Sequence, residues 1–350
     1  MGDDVKTLLA TIDALNERID DFRCEYEGTS YALEEAIKRE LKLGGDGLYN
    51  TFSGVFIWKK PGDTHVSSFH RHEPKGTVMR EELVVQAEAG KSEQLIKPDE
   101  ASVGQATIDD ALFVNSDRTG SYGQLYMLDT IKRFAAMEGV EASIKTEVFD
   151  KRTLTVLTFS FRGTTQPFQR FWLDLSRGGH AVRRESFIAG ELVGRIDVKL
   201  EAFKVGNDQV WMPKSGILEG HSSTKDGKPY FPASPTSSET LYVVDGTMEF
   251  NKRPGPSAFK IDYKPGMLIS DNLRRLQEEY GRQAIGAKPK KAEVEVMLRE
   301  QLDRAEKQRS ELVAGSPERD GPGWTSSLVW IFGTTTLVLA IALLIRRNRR

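Results

Sequence analysis

The chain reads as α+β and mainly antiparallel β, with a helix at its start and one membrane-crossing helix at its end. Three observations carry that reading. Apolar residues alternate with a period of two over much of 48–263, short turn signals separate successive runs, and an uncharged apolar segment stands at the C-terminus. Composition agrees. Of 350 residues, 29% are charged, the formal net charge is −2, and counting Gly but not Tyr about 45% are apolar, the ordinary globular share. A charge so near zero lacks the basic footprint of a nucleic-acid binder. The single cysteine, Cys24, excludes an intramolecular disulfide framework and a cysteine-cluster metal site.

At the N-terminus Val5, Leu8, Leu9, Ile12, Leu15, Ile19 and Phe22 recur at three-to-four spacing, which predicts an amphipathic helix with Asp3 or Asp4 capping its first turn. Strands are expected over 48–60, 64–72, 77–88, 142–149, 153–162, 167–175, 180–188, 192–205, 209–219, 239–250 and 258–263. In 195–202, Arg195, Asp197, Lys199 and Glu201 alternate with Ile196, Val198, Leu200 and Ala202, the pattern of a strand wet on one side. Arg177-Gly178-Gly179, Ala189-Gly190 and Gly206-Asn207-Asp208 supply turns, so the strands should follow one another as an up-and-down meander. A helix over 124–138, with Leu125, Leu128, Ile131, Phe134 and Ala135 as its stripe, interrupts them. Segments 89–122 and 220–238 read as loops or insertions, and Leu43 to Gly47 as a turn.

After Asp271 the composition shifts. Residues 272–284 look helical, Gly286 to Lys291 form a basic break, and 292–313 form a charged helix with a narrow seam of Val294, Leu298, Leu302, Ala305 and Leu312. That helix is expected to be a solvated stalk; the alternative is a coiled-coil contact with a partner protein. Gly315 to Gly323 link it to the apolar segment. The 22 residues from Trp324 to Ile345 carry no charge and, as a helix, span roughly 33 Å, enough for a hydrocarbon core. Arg346, Arg347, Arg349 and Arg350 follow and place the end 346–350 in the cytoplasm by the positive-inside rule. The main domain would then be extracytoplasmic, on a single-pass protein of the cell membrane. That topology calls for an export signal, and Met1 runs directly into Asp3, Asp4 and the amphipathic helix. The rivals are a tail anchor with a cytoplasmic domain and a cleavable sorting tail of the same outline.

Signatures of catalysis are missing. There is no Gly-rich phosphate loop, nucleophile elbow or His-Glu-x-x-His pattern, so neither an enzyme nor a cofactor is expected. His65, His70, His72 and Glu73 form the one cluster with metal-ligand character; on a strand His70 and His72 share a face, while an exposed polar strand is the plainer reading. His180 and His221 sit by turns and are expected in solvent.

The segment Gly54-Val55-Phe56-Ile57-Trp58-Lys59-Lys60-Pro61 carries large apolar groups on both faces of a strand. A curved sheet that packs on helices and lines a hollow accounts for this, and so does a filled core. This segment, ending in a basic residue and proline, and the stretch Phe259-Lys260-Ile261-Asp262-Tyr263-Lys264-Pro265-Gly266-Met267-Leu268-Ile269-Ser270-Asp271 together resemble the periplasmic lipoprotein carriers and lipoprotein-sorting proteins, the LolA/LolB-like superfamily. The resemblance covers roughly 3–271. It implies an incomplete (half-open) β-barrel with an N-terminal helix and a lid helix, and lipid or lipoprotein acyl chains as ligand.

Carried over by position, Phe56 and Trp58 would face the acyl cavity, and Lys60 would stand where the carriers have an arginine that holds the lid closed. Lysine lacks the planar fork that bridges two backbone carbonyls. The carriers' aspartate-glycine-aromatic stretch is replaced by Ala87 to Pro98. The resulting expectation is a membrane-anchored, non-catalytic acyl-binding module. Its cavity would be lined by Phe56, Trp58, Phe171, Leu173, Val198 and Leu200, and its lid held by Lys60, Leu125, Leu128, Ile131 and Phe134. The alternative is an envelope sensor or scaffold that binds a partner protein through the barrel and 292–313. A third, an exported hydrolase using His70 and His72, ranks last.

Overall fold

The computed structural model of the chain describes residues 2–73, 75–86, 91–97, 105–110, 121–137, 139–188, 190–221, 223–225, 228–263 and 268–271. The expected stalk and linker (272–323), apolar segment (324–345) and basic end (346–350) lie outside them. Among the described residues no helix is long and apolar enough to cross a membrane.

Two antiparallel meanders build one large sheet. The first comprises β1 (Asp21–Ala32), β2 (Leu48–Lys59), β3 (Asp63–His72), β4 (Thr77–Gln86), β5 (Lys91–Lys97) and β6 (Gln105–Asp110). The second comprises β7 (Val140–Phe149), β8 (Arg152–Phe161), β9 (Pro167–Asp174), β10 (His180–Ile188), β11 (Glu191–Val205) and β12 (Asp208–Gly220). A small hairpin, β13 (Ser223–Lys225) with β14 (Lys228–Tyr230), follows. Then β15 (Ser237–Val243) joins the meanders by pairing with β1 on one side and β12 on the other. The short β16 (Glu249–Phe250) pairs with β1, and β17 (Leu268–Asp271) runs parallel to β6. The order is β17-β6-β5-β4-β3-β2-β1-β15-β12-β11-β10-β9-β8-β7, and among the described residues no pairing joins its ends, so the sheet is not closed into a barrel.

Alternation decides which face each strand buries. On β1, Phe22, Cys24, Tyr26, Ser30 and Ala32 point inward, while Arg23, Glu25 and Glu27 point out. The inward residues of β1 to β4, β8 to β12 and β15 meet in a single apolar cluster, although β4 and β8 lie far apart in the strand order. The sheet therefore wraps around that cluster. On the outer face of the second meander a ladder of charges, Arg170–Glu185–Arg195–Glu219, crosses β9 to β12 at 3.8, 3.4 and 3.8 Å. Glu185 is buried and the other three are half-buried, so the pairing compensates charges that the sheet partly withdraws from water. The turn glycines Gly178, Gly179, Gly190 and Gly206 all adopt positive φ, as the sequence pattern anticipates.

Several boundaries differ from the expectation. Helix α1 (Asp3–Leu15) buries Val5, Leu8 and Ile12 but stops before Ile19 and Phe22, which belong to the link and to β1. Asn16 ends it by donating through Nδ2 to the Ile12 and Gly178 carbonyls at 2.9 and 2.8 Å. Gly2 takes the N-cap; Asp3 and Asp4 lie in the first turn, where the helix dipole favours acidic groups. The stretch expected as a loop at 89–122 contains β5 and β6, and that at 220–238 contains β13 and β14. The strand expected over 239–250 is split into β15 and β16 by a turn at Gly246.

The strand expected over 258–263 is absent. Pro256 instead opens a 3₁₀ turn, Pro256–Phe259, and the chain runs across the outer face as a strap. Phe259 and Ile261 cover Val84, Leu95 and Ala106 there. The strap is pinned by His65 Nδ1 to the Ala258 carbonyl (2.8 Å), by Gln86 donating to the Phe259 carbonyl (2.9 Å) and by the Tyr263 hydroxyl donating to Glu93 (2.9 Å). Alternate apolar residues in the strap mimic the strand period without pairing.

Candidate functional site

A short helical cover lies on the inner face of the sheet. It consists of a 3₁₀ turn (Tyr122–Gln124) and helix α3 (Leu128–Ala136), preceded in the chain by α1 and α2 (Glu35–Glu40). The expected lid residues Leu125, Leu128, Ile131 and Phe134 are all buried against the sheet. So are the expected cavity residues Phe56, Trp58, Phe171, Leu173 and Val198, which share one cluster with them. Leu200 is only half-buried. A bulge between Lys199 and Leu200 turns it so that it also packs on an outer cluster of Leu154, Val156, Trp172 and Val182.

The inner face is not bare beneath this cover. Tyr122 and Tyr126, one helical turn apart, place their rings 5.3 Å from Phe56 and 5.5 Å from Trp58, and Phe22 stacks on both sheet residues at 5.7 and 5.6 Å. At the far end Phe134 meets Phe159, Phe168 and Phe171 at 5.7, 5.4 and 6.3 Å. Such ring contacts add about 0.5–1.5 kcal/mol each beyond area burial. The sequence reading missed Phe22, Tyr122, Tyr126, Phe159 and Phe168. Tyr122 was findable, because it extends the 125/128 stripe backwards at helical spacing.

Polar links hold the cover in place. Trp58 donates its indole N–H to Asp129 Oδ2 at 2.8 Å, and the Tyr122 hydroxyl donates to the Pro213 carbonyl at 2.8 Å. Lys132 pairs with Asp13 at 2.6 Å, tying α3 to α1. Burial pushes the Asp129 carboxyl above the usual carboxylate range, against the lowering pull of the Trp58 N–H, Lys132 and Arg133. Lys60 is not part of the lid contact. Its ammonium donates to the carbonyls of Glu17 and Asn16 at 2.8 and 3.4 Å and lies 3.8 Å from Asp20, so it fastens the end of α1. A lysine here does reach two backbone carbonyls, because its three rotatable donors need no planar fork.

Gly216 on β12 lets the cover approach. A Cβ there would stand 2.4 Å from Leu125 Cδ2 and 3.1 Å from the Asp197 carbonyl. Gly216→Ala is therefore expected to displace Leu125 and cost about 1–3 kcal/mol of overpacking. Hydrogen exchange should accelerate in 121–137 while the amides of β1, β2 and β12 stay protected. Equal acceleration throughout would mean that cover and sheet open as one unit.

The histidines are placed differently from the expectation. His180 and His221 are both buried, not solvated. The Gly178-Gly179 turn tucks His180 beneath Tyr126, with ring centroids 5.9 Å apart, and His221 lies 3.8 Å from Glu219. His65 faces out beneath the strap, whereas His70 and His72 share the inner face with ring centroids 6.3 Å apart. Both nitrogens of His70 are engaged, by Asn50 Nδ2 at 3.3 Å and Ser68 Oγ at 3.0 Å, and Glu73 turns to Arg71 at 3.3 Å. On the outer face a shallow cleft of about 380 Å³ lies between Tyr242 and Phe69, floored by Thr29, Thr51 and Ser53.

No family model matches the chain, and no curated protein does. Among solved structures it is similar to a DUF1329 family protein from Desulfovibrio piger, at TM-score 0.46 and 11% identity over 74% of this chain and 98% of that one. It is similar also to an outer membrane lipoprotein-sorting protein domain from Vibrio parahaemolyticus, at TM-score 0.44 and 11% identity over 73% and 97%.

Proposed function

We propose that the sheet domain binds acyl chains of lipids or lipoproteins, without chemistry, by opening its helical cover. One observation carries this reading. The inner face of an unclosed sheet is apolar from β1 to β12, and what covers its centre is a 3₁₀ turn and a nine-residue helix rather than a second sheet. Opening would expose Phe56, Trp58, Phe171, Leu173 and Val198. An acyl chain laid there regains about 0.8 kcal/mol per buried CH₂, which offsets the loss of contacts with Tyr122, Tyr126 and Ile131. The bonds from Trp58 to Asp129 and from Tyr122 to the Pro213 carbonyl, with the Lys132–Asp13 pair, are polar links that opening must break.

The apolar segment 324–345 and the arginines after it support a membrane anchor with the domain on the extracytoplasmic side. An anchored module would hand acyl chains over locally. The inner face filled by the protein's own aromatic rings favours a second reading, a sensor or scaffold that engages a partner protein through the barrel and 292–313. Extraction of the purified full-length chain and mass spectrometry of what it carries separates the two. Acyl lipid near one per chain is the expected result; a chain without bound lipid, and without uptake from added fatty acid, would leave the scaffold reading.

A further inference from the structure

One end of the large sheet is β7, which among the described residues pairs with β8 alone. It is ten residues long, carries no proline and meets β8 without a bulge. The usual guards of an edge strand, namely a short run, a proline, a bulge or an inward-pointing charge, are therefore missing. Its inner face is Val140, Ala142, Ile144, Thr146 and Val148, and Val148 is 78% exposed. Its outer face carries Glu141, Ser143, Lys145, Glu147 and Phe149, with Lys145 and Glu147 in an ion pair along the strand.

The register fixes which backbone groups look off the sheet. β7 turns into β8 through Asp150 and Lys151, both at positive φ, with Phe149 opposite Arg152. That is a two-residue hairpin turn, so the N–H and C=O of Phe149 point toward β8. Every second residue back does the same, as far as Gly139, whose carbonyl accepts from the Arg162 N–H at 2.8 Å. The N–H and C=O of Val140, Ala142, Ile144, Thr146 and Val148 consequently point the other way. Among the described residues no strand meets them.

We propose that β7 pairs antiparallel with β7 of a second copy of this chain, about a two-fold axis at Thr146. Charge complementarity selects the occupant and the register. With the axis there, Lys145 of one copy stands opposite Glu147 of the other, and by symmetry this occurs twice. Exposed Val148 meets Ile144 on the inner face, and Thr146 meets Thr146. Ile144, Thr146 and Val148 are residues whose N–H and C=O look outward, so their pairs form about six hydrogen bonds. Lys145 and Glu147 fall at the closer, non-hydrogen-bonded positions, where opposite charges attract and like charges repel. Other registers are worse. An axis at Lys145 or at Glu147 sets that residue against itself, and one at Ile144 sets Glu141 against Glu147. An axis at Ser143 pairs Glu141 with Lys145 but leaves Val148 uncovered. Pairing by the same edge on both copies also closes at two, so no further edge is left to propagate. This contact is separate from the helical cover and does not rest on acyl binding.

Site-directed cross-linking of the full-length chain in detergent tests it, because a disulfide traps even a weak pair. Thr146→Cys sets two thiols across the axis with Cα atoms about 5.5 Å apart, within the span of a disulfide. Ser143→Cys is the off-register control, its two copies about 20 Å apart. Cys24 is buried and stays in place. Under mild oxidation Thr146→Cys is expected to give at least about 10-fold more cross-linked dimer than Ser143→Cys. Adding Val148→Lys to Thr146→Cys should lower that yield by about 10-fold, since the change acts once in each copy. Lys145→Glu should lower it as well, and Lys145→Glu combined with Glu147→Lys should restore it. No cross-link at Thr146, or equal cross-linking at both positions, would overturn the proposal. So would a dimer that forms without being trapped at Thr146, since it is held elsewhere.

Discussion

Replacing Phe56 with alanine is expected to lower the stability of the domain by about 3–5 kcal/mol, the cost of deleting a large buried aromatic side chain and leaving a cavity. Phe56 is fully buried and touches Phe22, Tyr122 and Tyr126 at 5.7, 5.3 and 6.4 Å, so sheet, link and cover all lose contacts at once. Val55→Ala is the control. Its side chain lies on the other face of the same strand and is only half-buried, and the change should cost under about 1 kcal/mol. Chemical denaturation of both variants measures the difference. A loss below about 1 kcal/mol for Phe56→Ala would mean that the cover collapses freely into the space, and that the ring contacts do not hold it.

Acid is the second large lever. Burial lowers the pKa of both His70 and His180 from 6.5 to about 4. Between those values the unfolded chain takes up protons that the folded one refuses. The contribution of these two rings is complete above pH 6.5, falls as the pH drops, and levels off below about 4. Each histidine accounts for a loss of about 3 kcal/mol over that range. The Trp211 carbonyl opposes the shift at His180, and His72 beside it adds to the shift at His70. His65 and His72 are lowered by burial as well and act in the same direction.

Asp129 runs the other way. Its raised carboxyl contributes stability that is fully present below the ordinary carboxylate pKa and is lost as the pH rises through its folded value. Denaturation midpoints from pH 7 to 4, for the wild type, His70→Asn and His180→Phe, should show a steep slope that each variant reduces. A flat wild-type profile would contradict the burial of both rings. Because His180 lies under Tyr126, its protonation should loosen the cover before the sheet, visible as earlier exchange in 121–137.

Legibility in the sequence followed the strength of the local period. The runs that became β2, β3, β7 to β12 and α3 are apolar-rich with strand alternation, a strand-length apolar run or a helical stripe, and turns at Gly178, Gly190 and Gly206 separate several of them. β1 was hidden because Ile19 and Phe22 continue the helical spacing of α1 through a link whose geometry is set by distant residues. Asn251 accepts from the Asp20 N–H at 2.8 Å and donates to the Arg18 carbonyl at 2.8 Å, and Lys60 holds Asn16 and Glu17. β5 was hidden because its inward positions carry Ser92 and Gln94, and the apolar residue it buries, Leu95, faces the strap.

The amino-acid sequence by itself determined the antiparallel sheet, the amphipathic first helix, the helical cover and the apolar character of Phe56, Trp58, Phe171, Leu173 and Val198, since period and residue type act within a few neighbours. Only the tertiary structure decided what those residues touch. Tyr122 and Tyr126 fill the inner face, Lys60 fastens α1 and not the lid, and His180 and His221 are buried. These contacts depend on segments apart in the chain becoming neighbours, as when β15 joins β1, more than two hundred residues earlier, to β12, and no local pattern encodes that pairing.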